Sequence, residues 1–195
     1  MMEDGLMTCL WQGWRPEIGD PEVTGWITVA IYLIGFALAL TVWRRHPEMT
    51  GRGFWGVLAV ALLFLAVNKQ LDLQSALTQI GRCLSQSQGW YENRRPVQFA
   101  VIGAILVMLG IGVVVTIRSL QHAMRPNALA ITGLILLAGF VMIRAVGFHF
   151  VDLLIGQRLF GISANFVMEN TGLILISLNA LILLRREGAR AAETG

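Results

Sequence analysis

The chain has 195 residues, of which 55% are hydrophobic and 14% charged, with a formal net charge of +3. A soluble domain carries about 25% charged residues, so this composition excludes an ordinary soluble enzyme and points to a membrane protein. Of the basic residues only Lys69 is a lysine, and the arginines flank the apolar runs rather than forming an aromatic-studded patch, which speaks against nucleic-acid binding.

Residues 1–25 read as a leader on the non-cytoplasmic side. They set Glu3, Asp4, Glu17, Asp20 and Glu22 against Arg15 alone, and they lack the basic start and early apolar run of a secretory signal. Trp11, Trp14 and Trp26 suit a membrane–water interface. The first predicted span is Trp26 to Trp43, stopped by Arg44-Arg45. The second starts at Phe54 and ends in Asn68-Lys69-Gln70-Leu71-Asp72-Leu73-Gln74. That ending is costly, because a charge near a bilayer centre costs ~2.5–3.5 kcal/mol on insertion scales and less toward the interface. It must therefore reach water, headgroups or partners on other helices. Leu73, Ala76, Leu77, Ile80 and Leu84 recur at helical spacing, so the helix is expected to continue beyond the membrane.

Pro96 opens a third span, 97–117, in which Gly103 and Gly110 share a face that another helix could approach closely. Pro126 opens the fourth, 127–146, which is expected to run on toward Asp152. Residues 156–163 turn the chain, and Ser163 caps a fifth span, 164–184, ending at Arg185-Arg186. Residues 187–195 form a polar tail. The expected fold is thus all-α: one domain of five transmembrane helices, 26–186, in a cell membrane of the bacterial inner-membrane type or its equivalent.

With the amino terminus outside, the cytoplasmic segments hold eight Arg (Arg44, Arg45, Arg52, Arg118, Arg125, Arg185, Arg186 and Arg190) against Glu48, Glu187 and Glu193. This follows the positive-inside rule and puts the carboxyl terminus in the cytoplasm. Both cysteines, Cys9 and Cys83, then lie on the outer side, where an oxidising compartment permits a disulfide between them.

Alternation of the spans brings the intramembrane polar residues to one level. At 1.5 Å per residue, Arg144 lies roughly 26 Å, His149 roughly 33 Å and Asp152 roughly 37 Å up the fourth span, and Glu169 lies roughly 24 Å back from Arg185 along the fifth. These residues, with Asn165 and the stretch from Asn68 to Gln74, fall at the outer end of the bundle. Asn68 and Asp72 share a helix face, as do Asn165 and Glu169, and His149 and Asp152 are also neighbours. Pairs of this kind suit acid–base or metal chemistry. His149, Asp152, Asp72 and Glu169 are the catalytic candidates, and Asn68, Lys69, Arg144 and Asn165 the ligand-binding ones. His149, Asp152 and Asp72 could together hold a divalent metal, although a zinc hydrolase would more often offer two or three His.

Three functional readings follow. The first is an outer-leaflet polar pocket for a small-molecule ligand, a lipid headgroup or a partner. The second is a membrane-embedded, metal-dependent hydrolase or transferase. The third is an accessory subunit of a larger membrane complex. A structural reading stands beside them, in which Asp72, Asp152 and Glu169 neutralise Lys69, Arg144 and Arg158 and lock the helices together.

Overall fold

The computed structural model describes residues 8–9, 18, 21–71, 73–87, 94–119, 124–146, 158–159 and 162–194. The described elements are helices α1 (Val23–Arg45), α2 (Arg52–Leu71), α3 (Leu73–Ser87), α4 (Arg94–Ser119), α5 (Met124–Val146) and α6 (Ala164–Thr194). Two short strands, β1 (Arg158–Leu159) and β2 (Ile162–Ser163), pair antiparallel just before α6. This pairing turns the chain where residues 156–163 were expected to do so.

Four helical stretches are long and apolar enough to cross a membrane: Val23–Arg45, Arg52–Leu71, Arg125–Met142 and Phe166–Arg186. In α4 the qualifying apolar stretch among the described residues is shorter, Leu106–Thr116. This is the architecture of a multi-pass membrane protein. Large apolar side chains point outward at high exposure, Val57 at 68% and Val60 at 69% among them. A water-soluble bundle would bury such a surface, whereas lipid tails solvate it.

Helix α6 is the hub, packing against both α1 and α5, while α2 packs on α1 and α4 lies against α5. The core contains Tyr32, Ala39 and Val42 of α1, Trp55, Leu58 and Leu62 of α2, Ala130 and Leu137 of α5, and Leu173, Ile176 and Ala180 of α6. Glycines set the closest approach. A Cβ on Gly133 would stand 2.5 Å from the Gly172 carbonyl oxygen, and one on Gly172 would stand 2.8 Å from the Gly133 oxygen. The α5 and α6 backbones therefore touch at this crossing, as membrane helices do where small residues meet. The close approach expected at Gly103 and Gly110 is not made among the described residues, since nothing lies within 4 Å of a Cβ built at either position.

One buried amide, Asn179 of α6, fixes the register of this crossing. The Asn179 Oδ1 accepts from the Ala130 backbone N–H at 2.9 Å, and its Nδ2 donates to the Pro126 carbonyl at 2.8 Å. Nearby, the Trp55 indole N–H donates to Asn127 Oδ1 at 2.9 Å, with both side chains fully buried. The starts of α2 and α5 and the later part of α6 thus share one end of the bundle, which also carries Arg44, Arg45, Arg52 and Arg125. Between α1 and α2 the chain turns through Gly51, whose φ of 89° lies in the left-handed region that a Cβ disfavours.

Helix α6 does not stop at Arg185-Arg186 but continues to Thr194. Hydropathy falls there, but Arg, Glu and Ala are strong helix formers, so the backbone ladder carries on past the apolar run.

Candidate functional site

At the end opposite the arginines, α1 and α6 begin and α2 ends. Helical spacing on α1 sets Thr28 and Tyr32 on one face, both about 1% exposed. Facing them on α6 are the consecutive residues Glu169 and Asn170, each 4% exposed. The Tyr32 hydroxyl donates to Glu169 Oε1 at 2.9 Å. The Lys69 ammonium of α2 donates to Glu169 Oε2 at 3.2 Å, with the side chains 11% and 5% exposed. One carboxylate thus ties three helices together.

Each contact has a clear electrostatic cause. A buried carboxylate is expensive unless an opposite charge and hydrogen-bond donors replace its water. Here the ammonium supplies the charge, and the phenol satisfies the second oxygen. One turn of α1 earlier, Asn170 Nδ2 donates to Thr28 Oγ1 at 3.1 Å and to the Phe166 carbonyl at 2.8 Å. Thr28 in turn donates to the Thr24 carbonyl at 2.9 Å.

Not every polar atom here has a partner. Among the described residues, Gln70 Nε2 and Oε1 and Asn170 Oδ1 are buried without one. An unsatisfied buried amide atom costs ~1–3 kcal/mol, and such atoms are rare in native structures. Gln70 directly follows Lys69, and Asn170 directly follows Glu169, so both gaps adjoin the ion pair in sequence.

Of the site residues expected from the sequence, the structure brings together Lys69 and Glu169, and Asn68 sits half-buried one residue before Lys69. Arg144 lies near the end of α5 and Asn165 at the start of α6, with their side chains outside the description. Asp72, His149 and Asp152 lie outside the described residues. Among the described residues no group of three or more His, Cys, Asp or Glu could hold a metal. Glu169 is a poor recruit for one, because a cation there would face the Lys69 ammonium. As a general base it is also restrained, since both its oxygens already accept hydrogen bonds.

Sequence reasoning missed Tyr32, Thr28 and Asn170. A signal existed: two hydroxyls four residues apart in an otherwise apolar run, and an amide beside an intramembrane carboxylate. Gln70 was noted as polar, but nothing in the sequence marks its amide as unsatisfied.

Cys9 and Cys83 are joined by a disulfide across 74 residues of sequence, and the Gln79 side-chain amide donates to the Cys9 carbonyl at 3.4 Å. The bond fastens the leader to the end of α3. Closing a loop of that length contributes ~4 kcal/mol on chain-entropy grounds.

Comparison of the chain with protein-family models, with curated proteins and with solved structures gave no match.

Proposed function

We propose that this is a multi-pass protein of the cell membrane, with five spans, the amino terminus outside and the carboxyl terminus in the cytoplasm, whose outer end carries a polar ligand pocket. In this reading the Lys69–Glu169–Tyr32 cluster is the pocket's fixed wall, and the side chains of Gln70 and Asn170 offer hydrogen bonds to a small molecule, a lipid headgroup or a partner. Asn68, Arg144 and Asn165 belong to the same pocket, with Asp72, His149 and Asp152 at its rim.

The observation that carries the proposal is the Gln70 carboxamide, with both ends buried and unpartnered among the described residues. A residue that only held helices together would be used up by its contacts. A residue that waits for a ligand keeps its hydrogen-bonding atoms unspent, at a cost in stability.

Gln70→Leu separates these cases. It removes buried polar atoms that bond to nothing described, so the melting temperature of the purified protein should stay level or rise. Mass spectrometry of small molecules and lipids extracted from the purified protein should show the wild type retaining a polar species that Gln70→Leu loses. Equal retention, or a lowered melt, would refute the pocket. A stoichiometric metal in the wild type would favour instead the metal-dependent hydrolase or transferase reading, with His149, Asp152 and Asp72 as ligands.

The accessory-subunit reading has its own support. Helix α4 leaves Val107, Met108 and Ile111 at 57–69% exposure beside the open Gly103 and Gly110 positions. A chain that purifies as a stable monomer would count against it.

A further inference from the structure

At the arginine end, an open groove of about 740 Å³ runs between α1 and α2. Its walls include Phe36, Leu40 and Trp43 from α1 and Gly56, Val60 and Phe64 from α2. The residues on each wall recur at helical spacing, so the groove follows the helix axes. On α2 it spans Gly53 to Phe64, roughly 16 Å at 1.5 Å per residue, close to the ~15 Å hydrocarbon depth of one leaflet. No charged or hydroxyl-bearing residue lines it.

The mouth of the groove has the opposite character. Arg44 and Arg45 end α1 and are exposed, and Arg52 opens α2. Arg52 is held in place: its Nε donates to the Trp43 carbonyl at 3.0 Å, and its guanidinium lies 5.1 Å from the centroid of the Trp43 ring. Trp43 is thus both the inner wall of the groove and the prop for the base at its opening. Gly56 makes room for this arrangement, since a Cβ there would stand 3.0 Å from the Trp43 indole. Glu48 is the one acid in the intervening turn.

We propose that this groove holds one acyl chain of an anionic phospholipid, with its phosphate among Arg44, Arg45 and Arg52. Charge complementarity selects the occupant. A zwitterionic lipid such as phosphatidylcholine would fill the groove equally well, but the choline cation beside its phosphate offsets much of the attraction of three guanidinium groups at the mouth. Arginine favours phosphate because its planar fork offers paired donors. The site lies at the other end of the bundle from the polar cluster and does not depend on that cluster's role.

The test is native mass spectrometry of the full-length protein in detergent, with equimolar phosphatidylglycerol and phosphatidylcholine of identical acyl chains. The wild type should retain one phosphatidylglycerol with a roughly tenfold preference, a conservative figure for several basic groups near an anionic headgroup. Val60→Trp fills the groove from an exposed position and should abolish retention of that lipid while leaving the melting temperature unchanged. Arg44→Gln with Arg45→Gln should keep the bound lipid but bring the headgroup preference close to one, whereas Arg44→Lys with Arg45→Lys should preserve most of it. Equal retention of the two lipids by the wild type would overturn the proposal, as would undiminished phosphatidylglycerol retention by Val60→Trp.

Discussion

Gly133→Leu should prevent the native bundle from assembling, and Gly133→Ala should lower stability by ~1–3 kcal/mol or more, the range for forcing extra atoms into a packed interface. The strain has no soft outlet. The nearest atom to an added Cβ is the Gly172 carbonyl oxygen, which belongs to the α6 backbone, and Ile176 crowds it from the next turn. Relief requires α5 and α6 to separate along their whole contact. Separation would also pull Asn179 away from Ala130 and Pro126, leaving backbone groups unpaired where water does not reach. Gly103→Ala and Gly110→Ala are the controls. Nothing lies within 4 Å of either position among the described residues, so each should be neutral or stabilising by up to ~1 kcal/mol through helix propensity. Unfolding in a detergent–SDS mixture compares the four variants. A Gly133→Ala protein as stable as Gly110→Ala would show that the two helices do not cross here.

Glu169→Ala should be the most damaging single change at the other end. It removes the carboxylate opposite the Lys69 ammonium, whose side chain is 11% exposed, and it takes an acceptor from the Tyr32 hydroxyl. Breaking a buried pair in this way costs ~3–5 kcal/mol. The companion experiment is the double replacement, Lys69→Met with Glu169→Leu. It removes both charges together, and well-packed apolar substitutes for a buried pair are often neutral or stabilising, so most of the loss should be recovered. Tyr32→Phe deletes one hydrogen bond to a charged group and should cost less, ~1.5–3 kcal/mol. The same unfolding assay gives the coupling energy. Additive losses in the double variant would mean that the two residues do not interact.

Much of the helical architecture was legible because hydropathy and punctuation agree. Arg44-Arg45 closes one helix, Pro126 sits within the first turn of another, and Ser163 directly precedes α6. The level of the polar residues was legible too, since alternating spans put Lys69 and Glu169 at the same end by counting alone. Which side chains meet was less so. Periodicity assigns a face to each helix but not its neighbour, so nothing distinguished Gly133 and Gly172, which touch, from Gly103 and Gly110, which meet nothing described. Tyr32 escaped notice for a related reason. A tyrosine in an apolar span reads as bulk until a carboxylate is found opposite its hydroxyl. The extension of α6 to Thr194 was hidden because hydropathy marks where a membrane ends, and helix propensity persists beyond it.

A ligand that reaches the buried Gln70 carboxamide beside the Lys69–Glu169 pair must enter from the outer side, so a thiol at position 70 should be reached from that side alone. The chain has two cysteines, Cys9 and Cys83, and they are joined to each other, so Gln70→Cys introduces a lone free thiol. Intact cells, and inverted membrane vesicles prepared from them, are treated with a membrane-impermeant sulfonated maleimide. Gln70→Cys should be labelled in intact cells and not in inverted vesicles, and the wild type in neither. A thiol that stays unreactive from both sides would show that Gln70 is sealed within the bundle, and one reached only in inverted vesicles would reverse the orientation; either result would rule out an outer-side pocket at Gln70.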